Sequence, residues 1–219
     1  MQDGKLSKLA GHGYFMPKRV ALEEEAERLR KQASLILSKS RLLELLAEYG
    51  KVNVTGSYAL DLMTAADIDI HVINPTIRKA VVKEALDRLI KQDFFDGYHF
   101  HDWVSHFRTA RFAFPNDTNP LKGYYLALRV VFRRRRWKID VWFLKKPDSK
   151  GVRLMRMVKD NMTEKTRLTI LKLKHMRSER KLDVSSAVIY KAVMTKHVTT
   201  LQGLLRFSSS SRNISEPAT

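Results

Sequence analysis

Residues 51–73, KVNVTGSYALDLMTAADIDIHVI, constrain the fold more than any other stretch, because two alternating runs flank a Gly-Ser pair. Val52 and Val54 alternate with polar neighbours up to Gly56-Ser57, the pattern of a strand that ends in a turn. Tyr58 to Leu62 reads as a short helix, and Asp67 to Val72 as a second strand. Side chains of a strand alternate between its faces, so Asp67, Asp69 and His71 share one face while Ile68, Ile70 and Val72 share the other. One face is fit for a core and the other carries two carboxylates side by side. Such a pair repels, and a divalent cation between the two removes the repulsion. The glycine-led helix start exposes backbone N–H groups and the positive end of a dipole, which suits a phosphate. A solvated strand face would also alternate in this way; the Gly-Ser turn at this spacing is what favours the cation.

Gly56-Ser57, nine residues, then Asp67-Ile68-Asp69-Ile70 resembles the Gly-Ser plus hydrophobic-Asp-hydrophobic-Asp-hydrophobic signature of the polymerase beta-like nucleotidyltransferase superfamily. That superfamily includes CCA-adding enzymes, poly(A) polymerases, antibiotic nucleotidyltransferases and minimal nucleotidyltransferases that pair with small helical proteins. The resemblance implies an α/β (α+β) fold: a mixed β-sheet core with flanking helices and a C-terminal helical domain. It also implies transfer of a nucleoside monophosphate from a nucleoside triphosphate such as ATP to an acceptor hydroxyl, with pyrophosphate released and Mg²⁺ (or Mn²⁺) required. Under it Asp67 and Asp69 hold the cations, and Ser57 with the Gly56 backbone grips the β or γ phosphates. The alternative is a non-catalytic module of the same fold that binds nucleic acid or a protein partner.

Tyr124 to Phe132 and Trp137 to Leu144 read as two strands of a hairpin whose turn is the cationic run Arg133 to Arg136. On the second strand Ile139, Val141 and Phe143 point one way and Lys138, Asp140 and Trp142 the other. A carboxylate between Ile and Val at mid-strand is costly unless it is paired, solvated or bound to metal. Asp140 is therefore the natural third carboxylate, and the resemblance gives it the ion nearer the acceptor. Lys138 shares its face, and from that position alone is expected to neutralise phosphate charge.

Elsewhere the chain divides by composition. Residues 1–19 read as a loose arm, 20–146 as the catalytic domain, 152–207 as a basic helical domain and 208–219 as a disordered tail. Leu22, Ala26, Leu29, Ala33 and Ile36 predict one amphipathic helix from Ala21 to Tyr49, with its stripe on the Ile68 side of the sheet. Asn74-Pro75 predicts a helix start, with Ile77, Val81, Ala85 and Leu89 buried. Phe107 to Phe114 alternates as a strand does, and the role of residues 93–121 as a whole is not legible. His99-x-His101, with Asp96, Asp102 and His106 nearby, reads as a polar loop rather than a zinc site. Lys145 to Gly151 reads as a linker, and three helices follow: Val152–Met162, one capped by Thr163 that runs to Lys181, and one from Asp183 to Phe207.

Lys plus Arg number 41 against 23 Asp plus Glu, a formal charge of +18, which favours polyanionic partners. From Lys145 to Lys181 there are 13 Lys or Arg against four Asp or Glu. This tilts the expected acceptor towards an RNA or tRNA end over a protein hydroxyl or a small molecule. No cysteine is present, which excludes disulfides and thiolate metal sites. No apolar run is long enough to span a bilayer and no signal-peptide core is apparent, so a cytoplasmic protein without membrane contact is expected.

Overall fold

The computed structural model describes residues 19–107 and 121–213. Among them, five strands form one sheet: β1 (Lys51–Thr55), β2 (Asp67–Ile73), β3 (Gly97–Asp102), β4 (Tyr124–Phe132) and β5 (Arg135–Leu144), in the order β1-β2-β5-β4-β3. Only the β2–β5 pair is parallel; the other three pairs are antiparallel. The sheet is therefore mixed, and with eight helices among the described residues the fold is α+β, the class expected from the sequence.

One face of the sheet carries the main core. Helices α1 (Arg19–Ser40), α2 (Leu42–Ala47) and α4 (Lys79–Lys91) lay Leu29, Ala33, Ile36, Leu46, Val82 and Leu89 against Ile68, Ile70, Val72, Ile139 and Val141. All eleven are fully buried, and each large aliphatic side chain contributes on the order of 2 kcal/mol by leaving water. A second core joins α5 (Ser149–Asp160), α6 (Glu164–Glu179), α7 (Ser186–Lys196) and α8 (Leu201–Asn213). Ala26 of α1 and Leu60 and Leu62, which follow the single-turn helix α3 (Gly56–Ala59), pack into this second core. The stripe of α1 is thus shared: Leu29 onward faces the sheet, and Ala26 faces the helices.

Several elements differ from expectation for identifiable reasons. The helix predicted over 21–49 breaks at Arg41, whose φ is 50°. The buried Ser40 hydroxyl donates to Ile36 O at 2.7 Å and accepts from Leu42 N at 3.3 Å, competing with the helical ladder. The break turns Leu42, Leu45 and Leu46 into the core. Asn74 caps a turn, not a helix: its Oδ1 accepts from Thr76 N at 2.9 Å and its Nδ2 donates to Tyr49 O at 2.8 Å, and α4 starts only at Lys79. Val82 replaces Val81 as the fully buried position of that helix. The expected linker already contains the start of α5, capped by Asp148, which accepts from Lys150 N.

The capping box of Thr163 and Thr166 bears out the start of α6. The last predicted helix is two, because His197 is left-handed at φ 51° and the β-branched run Val198-Thr199-Thr200 follows it. The second of these, α8, runs on past Phe207 to Asn213. β3 was not foreseen: Tyr98 and Phe100 turn to the core, and His99 and His101, read as a polar loop, are the outward half of that alternation. Phe107, the expected start of a strand, lies exposed at a 3₁₀ position. The remainder of that strand, the arm before Arg19 and residues 214–219 lie outside the described residues.

Candidate active site

Strand register brings the three predicted carboxylates together. β2 and β5 run parallel with Asp69 opposite Asp140 and Asp67 opposite Lys138. Directly opposed residues of paired strands project to the same face, so two acidic positions far apart in sequence become neighbours. One carboxylate oxygen from each of Asp67, Asp69 and Asp140 lies within 4.8 Å of the others. The burial of β2 alternates as the sequence requires, with Ile68, Ile70 and Val72 fully buried and the two aspartates half-buried.

Polar partners surround the cluster. Lys138 Nζ lies 2.8 Å from Asp140 Oδ2 and 3.4 Å from Asp67 Oδ1. Tyr125, on β4, donates from its hydroxyl to Asp140 Oδ1 at 2.8 Å. Asp67 Oδ1 is buried and accepts no hydrogen bond, so Lys138 serves it by charge only. Burial, reinforced by the charges of Asp67 and Asp140, pushes the Asp69 carboxyl up to about 7. Burial raises Asp67 as well, against the pull of Lys138. For Lys138, burial disfavours the ammonium, but Asp140 and Asp67 overcome it and hold the group above its ordinary value. The cluster therefore carries more acid than its one bridging lysine neutralises.

The turn before β2 is shaped to admit these carboxylates. Gly56 has φ +65°, and a Cβ there would lie 2.0 Å from Asp69 Oδ2. Only a glycine lets the backbone pass so close to that carboxylate. The helix behind it, α3, is a single turn, so its dipole is minor, and any grip on phosphate there falls to the Ser57 hydroxyl and the turn's own N–H groups.

Gly56, Ser57, Asp67 and Asp69 line a cavity of about 850 Å³ that opens between the sheet and helices α5 to α8. Opposite them stand Lys174 and Arg177 of α6, Ser185 and Ser186 at the start of α7, and Tyr190. Asp140, 8% exposed, and Lys138 belong to the acidic cluster but do not line the cavity. Lys174 is 3% exposed and donates to Leu62 O at 2.6 Å and towards Tyr190 Oη at 3.4 Å. Burial and the neighbouring Arg177 lower its ammonium to about 8, although Asp69 and Asp67 pull the other way. Arg177 donates to Val184 O at 3.2 Å and to Ser186 Oγ at 3.1 Å.

Sequence reasoning missed this wall: Lys174 and Arg177 enter only in the count of basic residues from Lys145 to Lys181, and Tyr190 carries no signal there. The usable signal was positional. Lys174 recurs one turn after Ile170 on the buried side of α6, where a lysine without a purpose would be replaced by an aliphatic residue.

The donor set fits a hard divalent cation. It offers three carboxylates and no thiolate, a buried carboxylate oxygen without a hydrogen bond, and a lysine ammonium standing where positive charge is needed. His99 and His101 do not join it, since β3 is at the far edge of the sheet from β2.

No family model matches the chain, and no curated protein matches it. Among solved structures it is similar to a chain of the non-canonical poly(A) polymerase complex GLD-2–GLD-3, with a TM-score of 0.49 and 12% identity over 80% of this chain. It is also similar to a chain of the GLD-2/RNP-8 complex, with a TM-score of 0.49 and 13% identity over 93% of this chain. The chain spans 59% of the length of the first and 73% of the second. At that distance the site is read from its own geometry.

Proposed function

We propose that the protein is a nucleotidyltransferase that moves a nucleoside monophosphate from a nucleoside triphosphate to an acceptor hydroxyl, with Mg²⁺ or Mn²⁺ as cofactor and pyrophosphate as the second product. The observation that carries this reading is the meeting of Asp67, Asp69 and Asp140 within 4.8 Å beside the Gly56-Ser57 turn. When bound, a pair of divalent cations would supply Lewis acidity, lowering the pKa of the acceptor hydroxyl and spreading the charge of the triphosphate.

The chain's own residues account for the rest. Asp67 and Asp69 would hold both ions, and Asp140 the one on the acceptor side. Tyr125 keeps Asp140 oriented through its 2.8 Å hydrogen bond. Ser57 and the N–H groups of its turn take the β or γ phosphate, which lies in the cavity facing Lys174 and Arg177. As the acceptor oxygen bonds to the α phosphorus and the bond to pyrophosphate breaks, negative charge grows on the leaving group, and these two cations are placed to meet it. Helix α6 is thus more than a cover for the sheet. The basic surface favours an RNA or tRNA end as acceptor.

The test is to incubate the protein with labelled ATP, CTP, GTP or UTP, Mg²⁺ and total RNA. Labelled RNA is expected, and Asp69→Asn, which removes charge but not volume, is expected to lower transfer at least roughly 100-fold while circular dichroism is unchanged. Unchanged transfer by this variant would remove the metal role from the triad, and no label with any nucleotide would leave a binding module.

A further inference from the structure

We propose that Lys138 is a tethered counter-ion of the acidic cluster, which a divalent cation must displace from Asp140 and Asp67, so that cation binding here is an exchange. The inference rests on the cation-binding reading of the triad and goes beyond it. Lys138 is placed by register: it lies two residues before Asp140 on the same strand face and directly opposite Asp67 on β2. Its ammonium bridges the two, 2.8 Å from Asp140 Oδ2 and 3.4 Å from Asp67 Oδ1.

Both oxygens of Asp140 are therefore engaged, Oδ2 by Lys138 and Oδ1 by Tyr125 at 2.8 Å. Each oxygen keeps a further lone pair, but an ammonium 2.8 Å from Oδ2 repels a cation brought to the same carboxylate, so the two positive charges compete for it. Tyr125 is 8% exposed and packs against Trp142 with ring centroids 4.9 Å apart, so it is held. The Lys138 side chain is 40% exposed, on a flexible four-carbon stem, and it repels a second positive charge. Lys138 is the partner that leaves. The other nearby cations make hydrogen bonds to groups other than these carboxylates: Lys174 to Leu62 O, Arg177 to Val184 O and Ser186 Oγ, and Arg129, opposite Lys138 on β4, to Leu128 O.

The exchange has two consequences. Without a cation, the lysine keeps three adjacent carboxylates from driving the strands apart. With one, a mobile ammonium is released beside the site, available to an anion that arrives with the cation.

The experiment is calorimetric titration of the full chain with Mn²⁺ alone, comparing the wild-type protein with Lys138→Met, Lys138→Arg and Asp69→Asn. Lys138→Met is expected to bind Mn²⁺ at least about tenfold more tightly, because the competitor is gone. In metal-free buffer the same variant melts lower than wild type, and Mn²⁺ raises its Tm by more. Lys138→Arg keeps the charge and stays near the wild-type affinity. A lysine that merely holds the carboxylates in place predicts the reverse, so equal or weaker binding by Lys138→Met overturns the proposal. Should Lys138→Met fail to fold, nuclear magnetic resonance of the wild-type side-chain amine, assigned by comparison with Lys138→Arg, decides. Its signal must move during Mg²⁺ titration in step with binding, and a stationary signal overturns the proposal. Binding that Asp69→Asn abolishes but Lys138→Met leaves unchanged defeats the lysine role alone, whereas no Mn²⁺ binding by any of these proteins defeats the triad reading as well.

Discussion

Gly56 and Lys174 show how much of the site depends on single positions. A methyl group on Gly56 would collide with Asp69 Oδ2 at 2.0 Å in a backbone conformation, φ +65°, that side chains disfavour. Relief requires moving either the turn or the carboxylate. Gly56→Ala is expected to cost about 1–2 kcal/mol in urea unfolding and to lower transfer by roughly 100-fold or more, since small displacements of reacting groups are that costly. Transfer within tenfold of wild type would show that the turn does not position Asp69. Lys174 makes a separate prediction with a defined sign. Its folded pKa, about 8, lies below the ordinary 10.5, so above pH 8 the unfolded chain binds a proton that the folded chain has lost. Stability therefore rises with pH between those values, and below pH 8 the buried charge is a constant cost. Relative to Lys174→Met, in which titrations other than those of the neighbouring Asp69 and Asp67 cancel, wild type should gain about 2 kcal/mol between pH 7 and pH 10 in urea unfolding. A constant difference would mean that Lys174 is solvated.

At the scale of elements, the strands that carry the carboxylates were legible because alternation is a strong signal where one face is oil and the other acid. Asp140 could be placed because a lone carboxylate between Ile139 and Val141 needs a reason. What sequence alone lacks is the partner of each strand: nothing in residues 135–144 states that they run parallel to β2 with Asp140 at Asp69, and that register is what makes a site. Helix ends failed where the stop is a left-handed residue that is not glycine, as at Arg41 and His197. β3 failed because histidine passes for a loop residue, and the lysine-bearing wall failed because charge was summed along the chain without asking which face each residue occupies. The β4–β5 hairpin yields a prediction at this scale. Its two turn residues, Arg133 and Arg134, both have positive φ, 48° and 64°, the conformation that Asn-Gly adopts without strain. Replacing the pair, Arg133→Asn with Arg134→Gly, is expected to stabilise the protein by about 1 kcal/mol, a rise of a few degrees in Tm, with transfer unchanged. A fall in Tm would mean that the arginines hold the turn through contacts such as Arg133 over the Phe132 ring, 5.9 Å from its centroid.

For the molecule as a whole, the formal charge of +18 and the acidic triad are complementary features rather than conflicting ones. Two or three carboxylates attract cations locally, while the surrounding basic field gathers phosphates over the range of a Debye length, about 8 Å at physiological salt. Helix α5 shows the arrangement in miniature: Lys150, Arg153, Arg156 and Lys159 are exposed along it, and Lys150 reaches the rim of the cavity that Asp67 and Asp69 also line. A polyanionic acceptor led over such a surface would release counterions in proportion to the phosphates it contacts. The log of the association constant for a single-stranded RNA should therefore fall linearly with log salt, with a slope of about −3 or steeper if roughly five phosphates are engaged. Arg153→Ala with Arg156→Ala should flatten that slope by about one to two without changing the Kd for Mn²⁺, a comparison that filter binding at four salt concentrations and calorimetry can make. A slope near zero in the parent protein would remove RNA as the acceptor while leaving transfer to a small hydroxyl compound intact, because a triphosphate alone needs the cations of the cavity and not those of the outer helix.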